Sequence, residues 1–142
     1  MKAYFSRAYA FSASHRLLTE ALSEDENRAA FGKCNNPHGH GHNYRLEVTV
    51  AGPIDRSTGM VIDMVQLDSI VGREVVDRFD HMNLNLDPLF AKQVSTTENL
   101  SIALFNLLQT ALKPAILEKI RIEETENNFF EYSAASEEAT QA

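Results

Sequence analysis

Apolar and polar residues alternate along the start of the chain. Phe5, Tyr9, Phe11, Ala13 and His15 share one parity, while Lys2, Tyr4, Ser6, Ser12, Ser14 and Arg16 share the other. A period of two predicts a strand from about Lys2 to Arg16 with one buried face, although Arg7 interrupts the apolar parity. A polar stretch over 17–37 follows, with helical content around Glu20 to Phe31, and it ends in Asn35-Asn36-Pro37. So long a loop in a small domain points to function. Alternation resumes from about His40 to Ala51, with His42, Tyr44, Leu46, Val48 and Val50 on one face. Gly52-Pro53 and Ser57-Thr58-Gly59 are turn chemistry, so Met60-Val61-Ile62 is expected to return as a third strand. The period then changes to that of a helix. Asp63 is placed to cap it, with Gln66 as a capping-box partner, and Leu67, Ile70, Val71, Val75 and Phe79 form its apolar stripe. Ser95-Thr96-Thr97-Glu98 caps a second helix, whose stripe is Leu100, Ala103, Leu104, Leu107, Leu108 and Ala111, with Pro114 marking its end. Two strands close the pattern, at about Ile116 to Glu124 and Phe129 to Tyr132. Strands before and after two helices, without βαβ alternation, predict an α+β fold with an antiparallel sheet and helices on one face.

The length of 142 residues suits one domain, placed here at 1–133, and the small polar tail 134–142 is expected to be disordered. A chain of this size buries enough surface to fold without a disulfide or structural metal. Thirteen Lys and Arg against twenty Asp and Glu leave a net charge of −7, which argues against nucleic acid and against an anionic membrane surface as partners. A local cluster of cations could still hold a phosphorylated small molecule. The single cysteine, Cys34, excludes an intrachain disulfide. With no signal-like start and no apolar run approaching membrane-spanning length, the expectation is a cytoplasmic protein.

Histidine is distributed unevenly, and this directs attention to chemistry. His38-Gly39-His40-Gly41-His42 opens the second strand. Alternate residues project from one face, so His40 and His42 stand about 6–7 Å apart in Cα terms. His15 ends the first strand on the face of Tyr9 and Phe11. If the two strands pair antiparallel and both apolar faces meet one core, His15, His40 and His42 converge. Three imidazoles without an obvious fourth protein ligand describe a zinc site with an open position. His38 exceeds that pattern and reads as a loop histidine.

Three further positions carry candidate chemistry. A free cysteine is ordinarily a small buried hydrophobe, but the loop position of Cys34 beside the histidines favours a reactive thiolate. In Asp80-His81 a carboxylate could orient an imidazole as a proton shuttle, or the histidine could simply answer a helix C-terminus. Spacing does not choose between these. Glu124 shares parity with Ile116, Ile120 and Ile122, with Glu118 as an exception. A heterocycle with an amino-pyrimidine edge would offer such a carboxylate two parallel N–H donors. Parity alone leans towards a solvated strand end, because Glu123 and Glu126 make the region acidic.

Six segments in order carry a family resemblance: Phe11-Ser12-Ala13-Ser14-His15-Arg16, Phe31-Gly32-Lys33-Cys34-Asn35-Asn36-Pro37, Gly39-His40-Gly41-His42-Asn43-Tyr44, Asp80-His81-x-Asn83-Leu84, Ser95-Thr96-Thr97-Glu98-Asn99 and Glu124-Thr125-x-Asn127-Asn128. In these the chain resembles the 6-pyruvoyl-tetrahydropterin synthase family over all but its tail. The resemblance implies zinc on His15, His40 and His42, and Cys34 as catalytic base acting with Asp80 and His81. It implies that Glu124 anchors a pterin, with Thr96 and Thr97 in the pocket. The implied reaction is zinc-dependent conversion of 7,8-dihydroneopterin triphosphate to 6-pyruvoyl-tetrahydropterin with loss of triphosphate, a lyase step of tetrahydrobiopterin biosynthesis. It needs no external redox cofactor, and magnesium is expected with the triphosphate. Arg16 and Lys33 are candidate phosphate contacts.

The implied architecture is the tunnelling fold, a four-stranded antiparallel sheet with two helices on one face. Three subunits join edges into a barrel and two trimers stack as a homohexamer, so that active sites lie between subunits. Three alternatives stand beside the pyruvoyl reading. One is the 6-carboxy-tetrahydropterin synthases of queuosine (deazaguanine) biosynthesis, which typically have a shorter gap between the cysteine and His-Gly-His than the five residues found here. The others are a GTP cyclohydrolase of the same fold and a non-catalytic zinc- or pterin-binding module. His38 departs from the biopterin-type motif, where Asn is usual.

Overall fold

The computed structural model describes residues 2–113 and 115–133. Pro114 and the 134–142 tail lie outside the described residues. Strand β1 (Ala3–His15) and strand β2 (His40–Gly52) form a long antiparallel pair in continuous register. The alternation translates directly into layers: Phe11, Ala13, Tyr44, Leu46, Val48 and Val50 are buried on one face. Between these strands lies helix α1 (Glu24–Phe31), started by a capping box. There Ser23 Oγ accepts from the Glu26 N–H, and the Glu26 carboxylate accepts from the Ser23 N–H.

Helix α2 (Met64–Val71) begins where Asp63 accepts from the backbone N–H groups of Val65 and Gln66. Gln66 therefore joins the cap through its main chain. The helix continues through a π-helical turn (Gly72–Val76) into α3 (Asp77–Phe79). Val71, Val75 and Phe79 are spaced by fours, which outruns a 3.6-residue turn. The wider π turn compensates, and all three stay fully buried. Helix α4 (Thr97–Ala111) is capped by Thr96, whose hydroxyl accepts from the Asn99 N–H. Its stripe packs beside that of α2 and α3 on the same face of the sheet, and Phe105 adds an edge contact with Tyr132.

The sheet departs from the expected four antiparallel strands. It has five, in the order β3-β1-β2-β4-β5, and is mixed. Strands β4 (Ile116–Glu123) and β5 (Phe129–Ser133) extend it antiparallel, whereas the two-residue β3 (Met82–Asn83) runs parallel to β1 beside Ala13 and Ser14. The chain leaving α3 is pinned there by two main-chain groups of Ser12. The Ser12 N–H donates to Asp80 Oδ1 (2.8 Å), and its carbonyl accepts from the His81 N–H (2.5 Å). Met60-Val61-Ile62 does not form the expected strand, because β1 and β4 already occupy both edges of β2. Val61 and Ile62 pack against the core from a loop that Asp55 organises through Ser57 and Thr58.

A bulge explains Glu118. Thr49 pairs with Lys119, but Val50 pairs with Leu117, so Glu118 is an extra residue. Parity flips across it. Leu117, Ile120 and Ile122 face inward, and Ile116, expected inside, is exposed.

Candidate active site

His15 pairs directly with His40, and Ala13 with His42, so the strand register alone brings the three imidazoles together. Their ring centroids lie 4.6 Å (His15–His40), 4.8 Å (His40–His42) and 5.3 Å (His15–His42) apart. One nitrogen from each lies within 4.8 Å of the others. His15 is buried, and its Nδ1 lies 2.6 Å from the Ser95 carbonyl oxygen. A carbonyl only accepts, so Nδ1 carries the proton and Nε2 presents a lone pair. Burial also pushes the pKa of His15 and His42 down, favouring the neutral rings that bind metal. The Nε2 atoms of His15 and His42 and both ring nitrogens of His40 are buried without a hydrogen-bond partner. Buried polar atoms are ordinarily satisfied, and a cluster of unpaired imidazole nitrogens fits a metal ion. Gly39 leaves room at this point: its φ is +74°, and a Cβ there would stand 3.1 Å from the His15 carbonyl oxygen.

Glu124 follows β4 by one residue but is not a solvated end. Its side chain is 16% exposed, and Oε1 lies 3.7 Å from His42 Nε2. Thr97, in the first turn of α4, donates its hydroxyl to the other carboxylate oxygen. The hydroxyl of Thr96 serves the helix cap instead. Histidine cluster, Glu124 and Thr97 thus share one side of the sheet, beneath the start of α4.

Cys34 lies in a 3-10 turn (Gly32–Asn35) after α1, half buried. Its carbonyl accepts from the Leu17 N–H (2.8 Å). The buried side chain of Asn35 donates to the Leu17 carbonyl (2.8 Å), and the Asn35 carbonyl accepts from Arg16 Nε (2.9 Å). The cysteine turn is thereby stitched to the two residues after His15. Arg16 and Lys33 line one cleft of about 470 Å³ with Arg28. His38 stays on the exposed loop, outside the cluster.

Asp80 and His81 occupy a different place. His81 Nδ1 lies 3.0 Å from Asp80 Oδ2, so the two are a dyad, but the imidazole is 82% exposed at the edge of β1. The Ser12 N–H, followed by His81, holds the Asp80 carboxyl below its usual range. His81 has φ of +62°, the only non-glycine among the described residues with positive φ. It lines a shallow groove of about 500 Å³ with Ser12, Ser14, His42, Asn43 and Asn83, without joining the other three imidazoles.

Several contributing residues were not visible in the pattern. Asn85 accepts from the Arg16 N–H (2.7 Å) and donates to the Arg16 carbonyl (2.8 Å), clamping the chain directly after His15. Ser95, which sets the His15 tautomer, acts through its main chain, so its residue type carries no signal. For Tyr44, parity with His42 was the one available sign.

The fold and this constellation define an α+β domain of tunnelling-fold type with a three-histidine cluster able to hold a metal ion. Comparison with known proteins gives the family. The description "6-pyruvoyl tetrahydropterin synthase" matches residues 4–135. The 6-pyruvoyl tetrahydrobiopterin synthase of Homo sapiens is 47% identical over 132 residues, covering 92% of this chain and 91% of the relative. The structure of 6-pyruvoyl tetrahydropterin synthase from Caenorhabditis elegans superposes with a TM-score of 0.90 at 43% identity, over 94% of this chain and 96% of that one. A 6-carboxy-5,6,7,8-tetrahydropterin synthase from Haemophilus influenzae is 31% identical, covering 71% of this chain and 84% of the relative. The chain belongs to the 6-pyruvoyl tetrahydropterin synthase family and is an enzyme. No helix among the described residues is long and apolar enough to cross a membrane.

Proposed function

We propose that this protein converts 7,8-dihydroneopterin triphosphate to 6-pyruvoyl-tetrahydropterin, releasing triphosphate. The observation that carries this reading is the set of unpaired nitrogens on His15, His40 and His42 beside Glu124, in a chain 47% identical to a 6-pyruvoyl tetrahydrobiopterin synthase. His15, His40 and His42 would hold zinc, which as a Lewis acid acidifies the side-chain hydroxyls of the substrate. Glu124 seats the pterin by accepting two parallel N–H bonds, and the Thr97 hydroxyl orients that carboxylate. Thr96 supports the pocket by capping α4. Cys34, as thiolate, removes a carbon-bound proton of the substrate side chain. His81, oriented by Asp80, returns and exchanges protons from the opposite side. Hydrogen is redistributed within the substrate, so loss of triphosphate balances the step without an external oxidant or reductant. Magnesium accompanies the triphosphate, for which Arg16 and Lys33, lining one cleft, are the candidate contacts. The active assembly is a homohexamer whose sites lie between subunits, which gives the exposed Asp80–His81 dyad a place to act.

Mass analysis of the product from 7,8-dihydroneopterin triphosphate tests the reaction. A pyruvoyl product with one triphosphate per turnover is expected. A carboxy product with acetaldehyde would instead indicate the 6-carboxy reading, formate from GTP a cyclohydrolase, and no turnover a binding module. Metal analysis tests the ligands separately: the wild type should hold one zinc per subunit, and His40→Ala should lose it.

A further inference from the structure

Among the described residues, buried side-chain nitrogen or oxygen atoms without a hydrogen-bond partner occur on His15, His40, His42, Tyr44 and Arg121. Arg121 packs its guanidinium over the Phe129 ring and pairs with Glu47 and Glu123. The metal ion proposed above would account for the histidines. The Tyr44 hydroxyl is left over.

The Tyr44 ring cannot easily turn away. It is 1% exposed, stacked on Phe11 at 5.1 Å between centroids, and met edge-on by His42 at 5.6 Å. Its position across the sheet is informative. Arg45 pairs with Glu123, so Tyr44 and Glu124 both adjoin the last pair of that antiparallel register. The Thr97 hydroxyl neighbours the Tyr44 oxygen but stands outside hydrogen-bond geometry there, and it donates to Glu124. At neutral pH a tyrosine phenol is a proton donor. An unpaired buried hydroxyl costs stability, and phenylalanine would fill the same space without that cost. Beside an acceptor-only carboxylate, the site therefore holds a fixed donor. A 2-amino-4-oxo-pyrimidine edge is complementary to this pair, since its two N–H donors are flanked by a carbonyl oxygen.

We propose that Tyr44 is a substrate-binding residue whose hydroxyl donates a hydrogen bond to the ring carbonyl of the pterin seated on Glu124. This rests on the pterin reading of the site given above. Tyr44→Phe, in the zinc-loaded protein, tests it with two readouts: the Kd of unsubstituted pterin, followed by its fluorescence, and steady-state kinetics. Loss of one neutral hydrogen bond should raise Kd and KM about five- to tenfold. A bond kept equally in ground and transition states leaves kcat within about twofold. Zinc content should be unchanged, and Tm equal or higher. Equal pterin affinity in the two proteins would overturn the proposal, as would a variant that loses zinc or fails to fold, since the hydroxyl would then be structural. A wild type that binds no pterin would instead sink the reading of the site itself.

Discussion

At the scale of single residues, the site divides into groups that packing has already placed and groups that await a ligand. His15 is fixed twice, by Ser95 at its ring and by Asn85 at the main chain that follows. Cys34 is held through its own carbonyl and through the side chain and carbonyl of the neighbouring Asn35. Cys34→Ala should therefore retain full zinc content while turnover falls by roughly 10²–10⁴. Undiminished turnover in that variant would remove Cys34 from the mechanism. Glu124→Gln replaces an acceptor-only group by one that presents a donor to the ring. Pterin affinity should fall by at least about tenfold with zinc still bound, measurable by pterin fluorescence. Such roles were only partly visible in the chain. Parity marked the three histidines because strands convert period two into a shared face. It leaned the wrong way for Glu124, because burial there comes from α4 closing over the strand end.

At the scale of elements, local signals and pairing competed. Asp63 and Thr96 cap helices where their sequence contexts indicate, since a cap needs only nearby residues. Asp63→Ala should destabilise the protein by about 1 kcal/mol, read from denaturant midpoints. The π turn and the Glu118 bulge follow instead from packing against a sheet, and no local rule announces them. One longer-range tie has a pH signature. Asp87 receives two hydrogen bonds from the Arg78 guanidinium (2.9 and 2.8 Å), and these hold its carboxyl below the usual value of 3.8. The folded pKa is depressed, so the stabilisation is present above pH 3.8 and is lost as pH falls through the lower folded value. In metal-free protein, Asp87→Asn should lower Tm at neutral pH and reduce the further loss on acidification below pH 4. Parallel Tm curves for the two proteins would remove Asp87 from the acid response.

At the scale of the whole molecule, His81 is 82% exposed and outside the three-imidazole cluster, although it shares a groove with His42, whereas His15 is buried. If catalytic sites form between subunits, inactive Cys34→Ala and His81→Ala proteins, mixed by reversible denaturation, should recover up to about a quarter of wild-type turnover. No recovery, with mixed oligomers demonstrated by mass, would place each site within one chain. The assembly itself is expected near six times the 15.9 kDa subunit mass in solution.

Much of this protein was determined by short-range sequence pattern. Periods of two and of 3.6 located the two long strands, the helices and the inward faces, because each face must be buried as a unit. The same alternation brought His15, His40 and His42 to one point. Only the tertiary structure decided which edges were free to pair, and hence that Met82–Asn83 rather than Met60-Val61-Ile62 joined the sheet. It also decided which carbonyl orients His15, that Tyr44 lies near Glu124, and that His81 stays outside the three-imidazole cluster. These are contacts between residues distant in sequence, and the identity of such a partner is set by register and packing, which no single segment encodes.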